Sequence, residues 1–168
     1  MTELAFIALG SNIDPETNLP LASTRLSELG KLIAASTVYQ NPDIADEPQA
    51  DYLNAAVLIE TALDPLVIRD KLREIEAGLG RIRTEYKFAP RTIDLDLCIL
   101  GDRVLDHKLL SLPDPDILER AHLAVTLAEL RPGFLHPITG DSLKEIANNL
   151  QKNAELNPRS DVVLLGHE

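Results

Sequence analysis

Tyr52-Leu53-Asn54-Ala55-Ala56-Val57-Leu58-Ile59-Glu60-Thr61 is a mostly apolar run of strand length, and what flanks it sets the fold. Asp64-Pro65 then opens a helix whose Leu66, Ile68, Leu72, Ile75 and Leu79 recur at helical spacing, and Gly78-Leu79-Gly80 closes it. The next strand starts at Asp94, which completes one β-α-β pass. An earlier pass precedes it. Residues 4–9 read as a buried strand ended by Gly10-Ser11-Asn12. Asn18 can cap a helix with Leu19, Ala22, Leu26 and Leu29 on one face, closed by Gly30. A second strand is expected over 32–40, and residues 41–51 read as a loop. After the Asp94 strand come a turn at Gly101-Asp102, a short hairpin strand to about Leu105 and a loop at 113–115. Helices are expected at about 117–130 and 142–149, the second carrying Ser142 and Glu145 at capping-box spacing. The expected fold is α+β: a ferredoxin-like antiparallel sheet with helices on both faces, an α/β/α sandwich. Residues 1–150 form a single domain in this reading. Residues 151–168 form a C-terminal tail with an edge strand or ordered segment at 162–165.

At 168 residues the chain fits one domain that buries about 70% of its unfolded surface. A net charge of −11, with three Tyr, three Phe and no Trp, argues against nucleic-acid binding. Its positive charge is concentrated instead: seven of 16 Lys and Arg residues fall between Arg69 and Arg91. Cys98 is the only cysteine, set in an apolar run, and reads as a buried structural thiol. The N-terminus has no basic segment and no apolar stretch approaches membrane-spanning length, so a cytoplasmic protein without membrane contact is expected.

Within Arg91-Thr92-Ile93-Asp94-Leu95-Asp96, strand alternation puts Asp94 and Asp96 on one face, roughly 6.5–7 Å apart, with Ile93, Leu95 and Leu97 turned to the core. Two such carboxylates repel unless a cation lies between them. An all-oxygen, incomplete ligand set suits Mg²⁺, which takes its remaining ligands from water and phosphate. Arg81, Arg83, Lys87 and Arg91 lie just upstream, and guanidinium groups fit phosphate oxygens. The plainer alternative is a polar-faced strand after a solvated loop. Other motifs fail. Gly78-Leu79-Gly80 follows a helix and lacks the third glycine of a dinucleotide fingerprint. No Walker sequence is present, and His107, His122, His136 and His167 have no zinc-site spacing. Ser11 is a turn residue rather than a nucleophile.

In chain order the sequence carries Ala8-Leu9-Gly10-Ser11-Asn12, then Tyr52-Leu53-Asn54-Ala55-Ala56, then Glu76 with Gly80-Arg81-Ile82-Arg83. Pro90-Arg91-Thr92-Ile93-Asp94-Leu95-Asp96-Leu97 follows, then Glu119-Arg120 before Leu127-Ala128-Glu129-Leu130. From about residue 3 to 150 this set resembles the 6-hydroxymethyl-7,8-dihydropterin pyrophosphokinase family of folate biosynthesis, whose fold is also a ferredoxin-like sandwich. The resemblance implies a monomeric transferase that moves the β,γ-pyrophosphoryl group of ATP to the hydroxymethyl oxygen of a reduced pterin. It implies two Mg²⁺ ions, bound with ATP, on Asp94 and Asp96, and Arg81 and Arg91 acting on the transferred group. Glu76, Arg83, Ser111 and Arg120 would line the nucleotide. Asn41, Pro42, Ile44, Tyr52, Asn54, Phe88 and His122 would form the pterin site.

The chain departs from the family pattern at ligand-facing positions. Pro113-Asp114-Pro115 stands where the family has a His between Pro and Pro or Tyr. His122 replaces an aromatic that stacks on the pterin, Phe88 a Trp, Ala89 a Gly, and Asn41 a Thr. An acid at 114 repels a polyphosphate, while Phe88 and His122 can still stack. Other readings are a paralogue acting on a different pterin or heterocyclic alcohol, a non-catalytic ferredoxin-like binding domain, and a magnesium-dependent phosphohydrolase.

Overall fold

The computed structural model describes residues 1–41, 51–81, 92–152 and 154–164. β1 (Glu3–Ser11) and β4 (Tyr52–Thr61) pair antiparallel over their length at the centre of the sheet. β5 (Asp94–Leu100) lies along the other side of β1. β2 (Lys31–Ala35) and β3 (Tyr39–Asn41) both pair with β4. Strand order is β5-β1-β4-β3-β8, where β8 is Asn157–Pro158. All these pairings are antiparallel, and among the described residues β5 forms one edge.

Both faces of β1 and β4 are covered, which is why their sequences run apolar. Ala5, Ile7, Leu9, Ala55, Val57 and Ile59 pack with Leu19, Ala22 and Leu26 of α1 (Pro15–Leu26) and Ile68, Leu72 and Ile75 of α2 (Pro65–Gly78). Phe6, Ala56, Leu58 and Ile99 turn the other way onto α3 (Ala121–Leu130) and α4 (Leu143–Gln151). Buried Cys98, a free thiol, belongs to this second core, and burial raises its thiol pKa first of all.

The structure corrects several expected boundaries. α1 begins three residues before Asn18, because Pro15 presets its first turn and Asp14 O accepts from the Thr17 and Asn18 N–H groups. The strand expected over 32–40 divides: Ser36 Oγ accepts the Ala56 N–H at 2.9 Å, so a side chain replaces a ladder bond there. Gly30 precedes β2 with its Cα against β4, where an added Cβ would lie 2.1 Å from Glu60 O. Beyond β5 come two short strands, β6 (Leu105–His107) and β7 (Leu110–Leu112), rather than one. The helix expected from 117 is a 3₁₀ turn, Pro115–Leu118, followed by α3. The capping box at Ser142 is present as expected, with Ser142 Oγ and Glu145 Oε1 each accepting the other's backbone N–H at 3.1 Å. No helix among the described residues is long and apolar enough to cross a membrane.

The tail adds its edge strand at Asn157–Pro158, earlier than the 162–165 segment, whose residue 165 lies outside the described residues. Val162 and Leu164 are instead turned into the core against α1, and Ser23 Oγ donates to Leu164 O at 3.3 Å. Arg159 ties this segment down: its N–H donates to Val38 O, and its guanidinium reaches Gln40, Glu16 and Asp161. Leu164→Ala should therefore cost about 2–5 kcal/mol, the range for emptying a buried leucine site. Urea unfolding measures this, and an unmoved midpoint would show the tail undocked.

Candidate active site

Among the described residues no strand lies on the outer side of β5, so part of its backbone must find side chains. α2 supplies them. Glu76 Oε2 accepts the Leu95 N–H at 2.7 Å, and Arg73 Nη1 donates to Leu95 O at 2.8 Å. Arg81 Nη1 donates to Ile93 O at 3.0 Å. Glu76 is 1% exposed, a burial tolerable for a carboxylate because Arg73 lies 3.1 Å and Arg81 3.7 Å from it. Its carboxylate is held inside the wall between the Leu95 N–H and the two guanidinium groups.

Asp94 and Asp96 point to the face opposite Leu95, as strand alternation requires. Asp94 pairs with Arg81 at 3.0 Å, and Asp96 lies 3.5 Å from Arg73 Nη2. The Asp96 carboxyl is pushed up to about 7, first by enclosure in the protein, next by the negative charge of Asp94, then by Asp114 and Glu76, against the pull of Arg73. Its side chain still keeps 45% of its surface open, which leaves room for a ligand. Asp114 is raised as well, mainly by burial, although its Oδ1 accepts the Asp116 N–H. Among the described residues no group of three His, Cys, Asp or Glu side chains is placed to hold a metal ion alone. Two oxygen donors on one face, crowded by further negative charge, fit Mg²⁺, which completes its shell with water and phosphate.

Beside the acid pair is a cavity of about 170 Å³, with Arg69, Leu72 and Arg73 of α2 on one wall and Ser111, Asp114 and Pro115 on the other. Asp96 is among the residues that line it. Of the expected nucleotide contacts, Ser111 lines this cavity. Arg120 does not; it starts α3 and lies 3.4 Å from Asp116. Arg83 and catalytic candidate Arg91 lie outside the described residues. Arg69 and Arg73 escaped the sequence reading. Their signal was positional: Arg69, Arg73 and Glu76 recur at i, i+4 and i+7 along the flank of the α2 apolar stripe.

Across the sheet the register places Asp94 opposite Gly10, and Gly10 opposite Asn54. Directly paired residues share a face, so Asp94 and Asn54 look into the same groove, about two strand spacings or 10 Å apart. Gly10 keeps its floor open, since an added Cβ would lie 3.0 Å from Asn54 Oδ1 and 3.8 Å from the Tyr52 ring. Asn54 Nδ2 donates to Asn41 Oδ1, bringing three of the expected pterin residues together. Pro42, Ile44 and Phe88, with the departure Ala89, lie outside the described residues. Glu129, quoted above only within a motif, bonds the Thr37 N–H and the Tyr39 hydroxyl, holding α3 to β3.

His122 is half-buried at the start of α3, and its imidazole pKa is lowered to about 4, first by burial and then by Arg120. The pKa of His136 is lowered too, mainly by burial. Both folded values lie below the unfolded 6.5, so between those limits the unfolded chain holds more protons. Stability is thus complete above about pH 6.5 and falls as pH drops towards 4, by at most about 3 kcal/mol from His122. His122→Gln should flatten that part of a melting-temperature profile. An unchanged slope would rule out His122 as its source.

The sequence profile of the family described as 7,8-dihydro-6-hydroxymethylpterin-pyrophosphokinase (HPPK) matches residues 6–132. A Haemophilus influenzae protein named 2-amino-4-hydroxy-6-hydroxymethyldihydropteridine pyrophosphokinase is 34% identical over 160 residues, covering 92% of this chain and 98% of that protein. One of the same name from Bacillus subtilis is 37% identical over 133 residues, 77% of this chain and 79% of its own. The crystal structure of Plasmodium falciparum HPPK-DHPS with pteroate aligns at a TM-score of 0.69 and 14% identity over 89% of this chain. This chain spans 44% of that longer one, and the likeness carries the fold alone.

Proposed function

The chain belongs to the 7,8-dihydro-6-hydroxymethylpterin-pyrophosphokinase family, and we propose from that premise how its residues serve the reaction. The enzyme is a pyrophosphokinase of folate biosynthesis: it transfers the β,γ-pyrophosphoryl group of ATP to the hydroxymethyl oxygen of 6-hydroxymethyl-7,8-dihydropterin and releases AMP. One observation supports the assignment most. The row Asn54–Gly10–Asp94 runs along one sheet face, with an amide at one end and the acid pair, beside the cavity, at the other. A fused bicyclic ring laid along that row has its amide edge at Asn54 and its hydroxymethyl arm towards Asp94.

Asn54, oriented by Asn41, reads the pterin edge by hydrogen bonds, and Tyr52, Pro42, Ile44, Phe88 and His122 enclose the ring. The low His122 pKa keeps its imidazole neutral at pH 7, suited to stacking. Asp94 and Asp96 would hold two Mg²⁺ ions, bound with ATP. Bound there, the metal would neutralise phosphate charge and make the pterin hydroxyl a better nucleophile, so no side-chain base is required. Arg81 and Arg91 direct donors at the transferred group, where charge develops. Ser111, Arg83 and Arg120 contact the nucleotide, and Glu76 braces Arg73 and Arg81. The order β5-β1-β4-β3, with α1 and α2 as crossovers, supports a ferredoxin-like description, and we treat the protein as one monomeric domain with an attached tail.

Asp114 favours a second reading, a paralogue using another pterin or heterocyclic alcohol. Its carboxyl stands in the cavity where a polyphosphate would meet repulsion. One assay separates the two: AMP release from ATP with and without 6-hydroxymethyl-7,8-dihydropterin. Pterin-dependent AMP release supports the kinase. ATP binding without such release points to the paralogue.

A further inference from the structure

Arg73 sits where the cavity meets the acid pair, and it belongs to none of the motifs that carry the family resemblance. Its Nη1 is anchored twice, on Leu95 O at 2.8 Å and Glu76 Oε2 at 3.1 Å. Its Nη2 faces Asp96 Oδ1 at a looser 3.5 Å. The side chain is 27% exposed and lines the cavity wall with Arg69. A guanidinium keeps its charge at any working pH, so Arg73 is a permanent positive charge against a carboxylate that metal would also use. The two cations compete for Asp96. A phosphate chain in the cavity resolves the competition, because its anionic oxygens offer Nη2 a better acceptor than a shared carboxylate. The anchored Nη1 lets the guanidinium make that exchange without leaving the wall.

We propose that Arg73 is the exchangeable counter-ion of Asp96. It pairs with Asp96 in the free protein and passes to the nucleotide's phosphate oxygens when metal and nucleotide enter together. Arg73 therefore opposes binding of a bare divalent ion and promotes binding of a metal–nucleotide complex. This rests on the assignment of Asp94 and Asp96 as metal ligands. It adds a reason, residing in one side chain, for metal to arrive with nucleotide.

Opposite signs make the test. Mn²⁺ alone is titrated by water-proton relaxation, and the magnesium complex of a non-hydrolysable ATP analogue by calorimetry. Both are done on wild type, Arg73→Gln, Arg73→Lys and Asp96→Asn. Arg73→Gln should bind Mn²⁺ alone about tenfold more tightly and the metal–nucleotide complex about tenfold more weakly, each shift equivalent to about 1.4 kcal/mol. Arg73→Lys keeps the charge and should keep the wild-type affinity for Mn²⁺ alone, which decides the matter should the Gln variant fail to fold. Shifts of the same sign in Arg73→Gln, or none for bare Mn²⁺, would overturn the proposal. So would tighter Mn²⁺ binding by Arg73→Lys. Unchanged Mn²⁺ binding by Asp96→Asn would instead remove the metal assignment beneath it, an outcome distinct from the others.

Discussion

Asp96→Ala should leave the fold intact and lower turnover by several orders of magnitude. The side chain faces the groove and keeps 45% of its surface open, so truncation leaves no hole in either core. In the proposed assignment it removes one of the two carboxylates that would hold metal with the triphosphate, and with it charge neutralisation and activation of the attacking hydroxyl. A companion, Asp96→Asn, tests the electrostatics independently of turnover. Because the folded Asp96 pKa, about 7, lies above its unfolded 3.8, the folded chain holds the extra proton between them and loses stability as pH rises through that window. Metal-free Asp96→Asn should therefore melt higher than wild type at pH 8. Circular dichroism melts and AMP release check both outcomes. A well-folded Ala variant that keeps more than about a tenth of the wild-type rate, a loss below ~1.4 kcal/mol, would sink the assignment.

Arg81→Ala should slow the chemical step by about 10²–10³, as expected for a donor aimed at developing charge, while ATP binding falls far less. The structure adds a second consequence. Arg81 has a side chain only 7% exposed, and its Nη1 serves Ile93 O, Asp94 and, at 3.7 Å, Glu76. Its loss also removes the second counter-charge of buried Glu76, which keeps Arg73, and leaves Ile93 O without its donor, so the variant should be less stable by about 1–3 kcal/mol, the cost of an unsatisfied buried group. Arg81→Lys, which retains the charge, should recover more of the stability than of the rate, since a point charge cannot reproduce the planar fork. Single-turnover kinetics beside calorimetric ATP titration separates the effects. Equal losses in rate and binding would make Arg81 a plain binding residue.

The sequence by itself determined whatever depends on neighbours along the chain. Strand alternation put Asp94 and Asp96 on one face and Ile93 and Leu95 on the other. The α2 stripe, the Ser142 capping box and the bounds of β4 were equally local. The ordered motifs identified the family. Only the tertiary structure decided which partners meet. That β5 is an edge depends on strand order, and from it follow the roles of Glu76, Arg73 and Arg81, long side chains that complete a backbone 12 to 22 residues away in sequence. The burial of Glu76 depends on the packing of α2 against β5, not on its neighbours in sequence. The groove between Asp94 and Asn54 exists because register places Gly10 between them, and β8 pairs at 157–158 because Val162 and Leu164 are drawn into the core. Periodicity specifies the direction a side chain faces. What it faces is set by cross-strand register and by burial shared among distant segments, which no local pattern encodes.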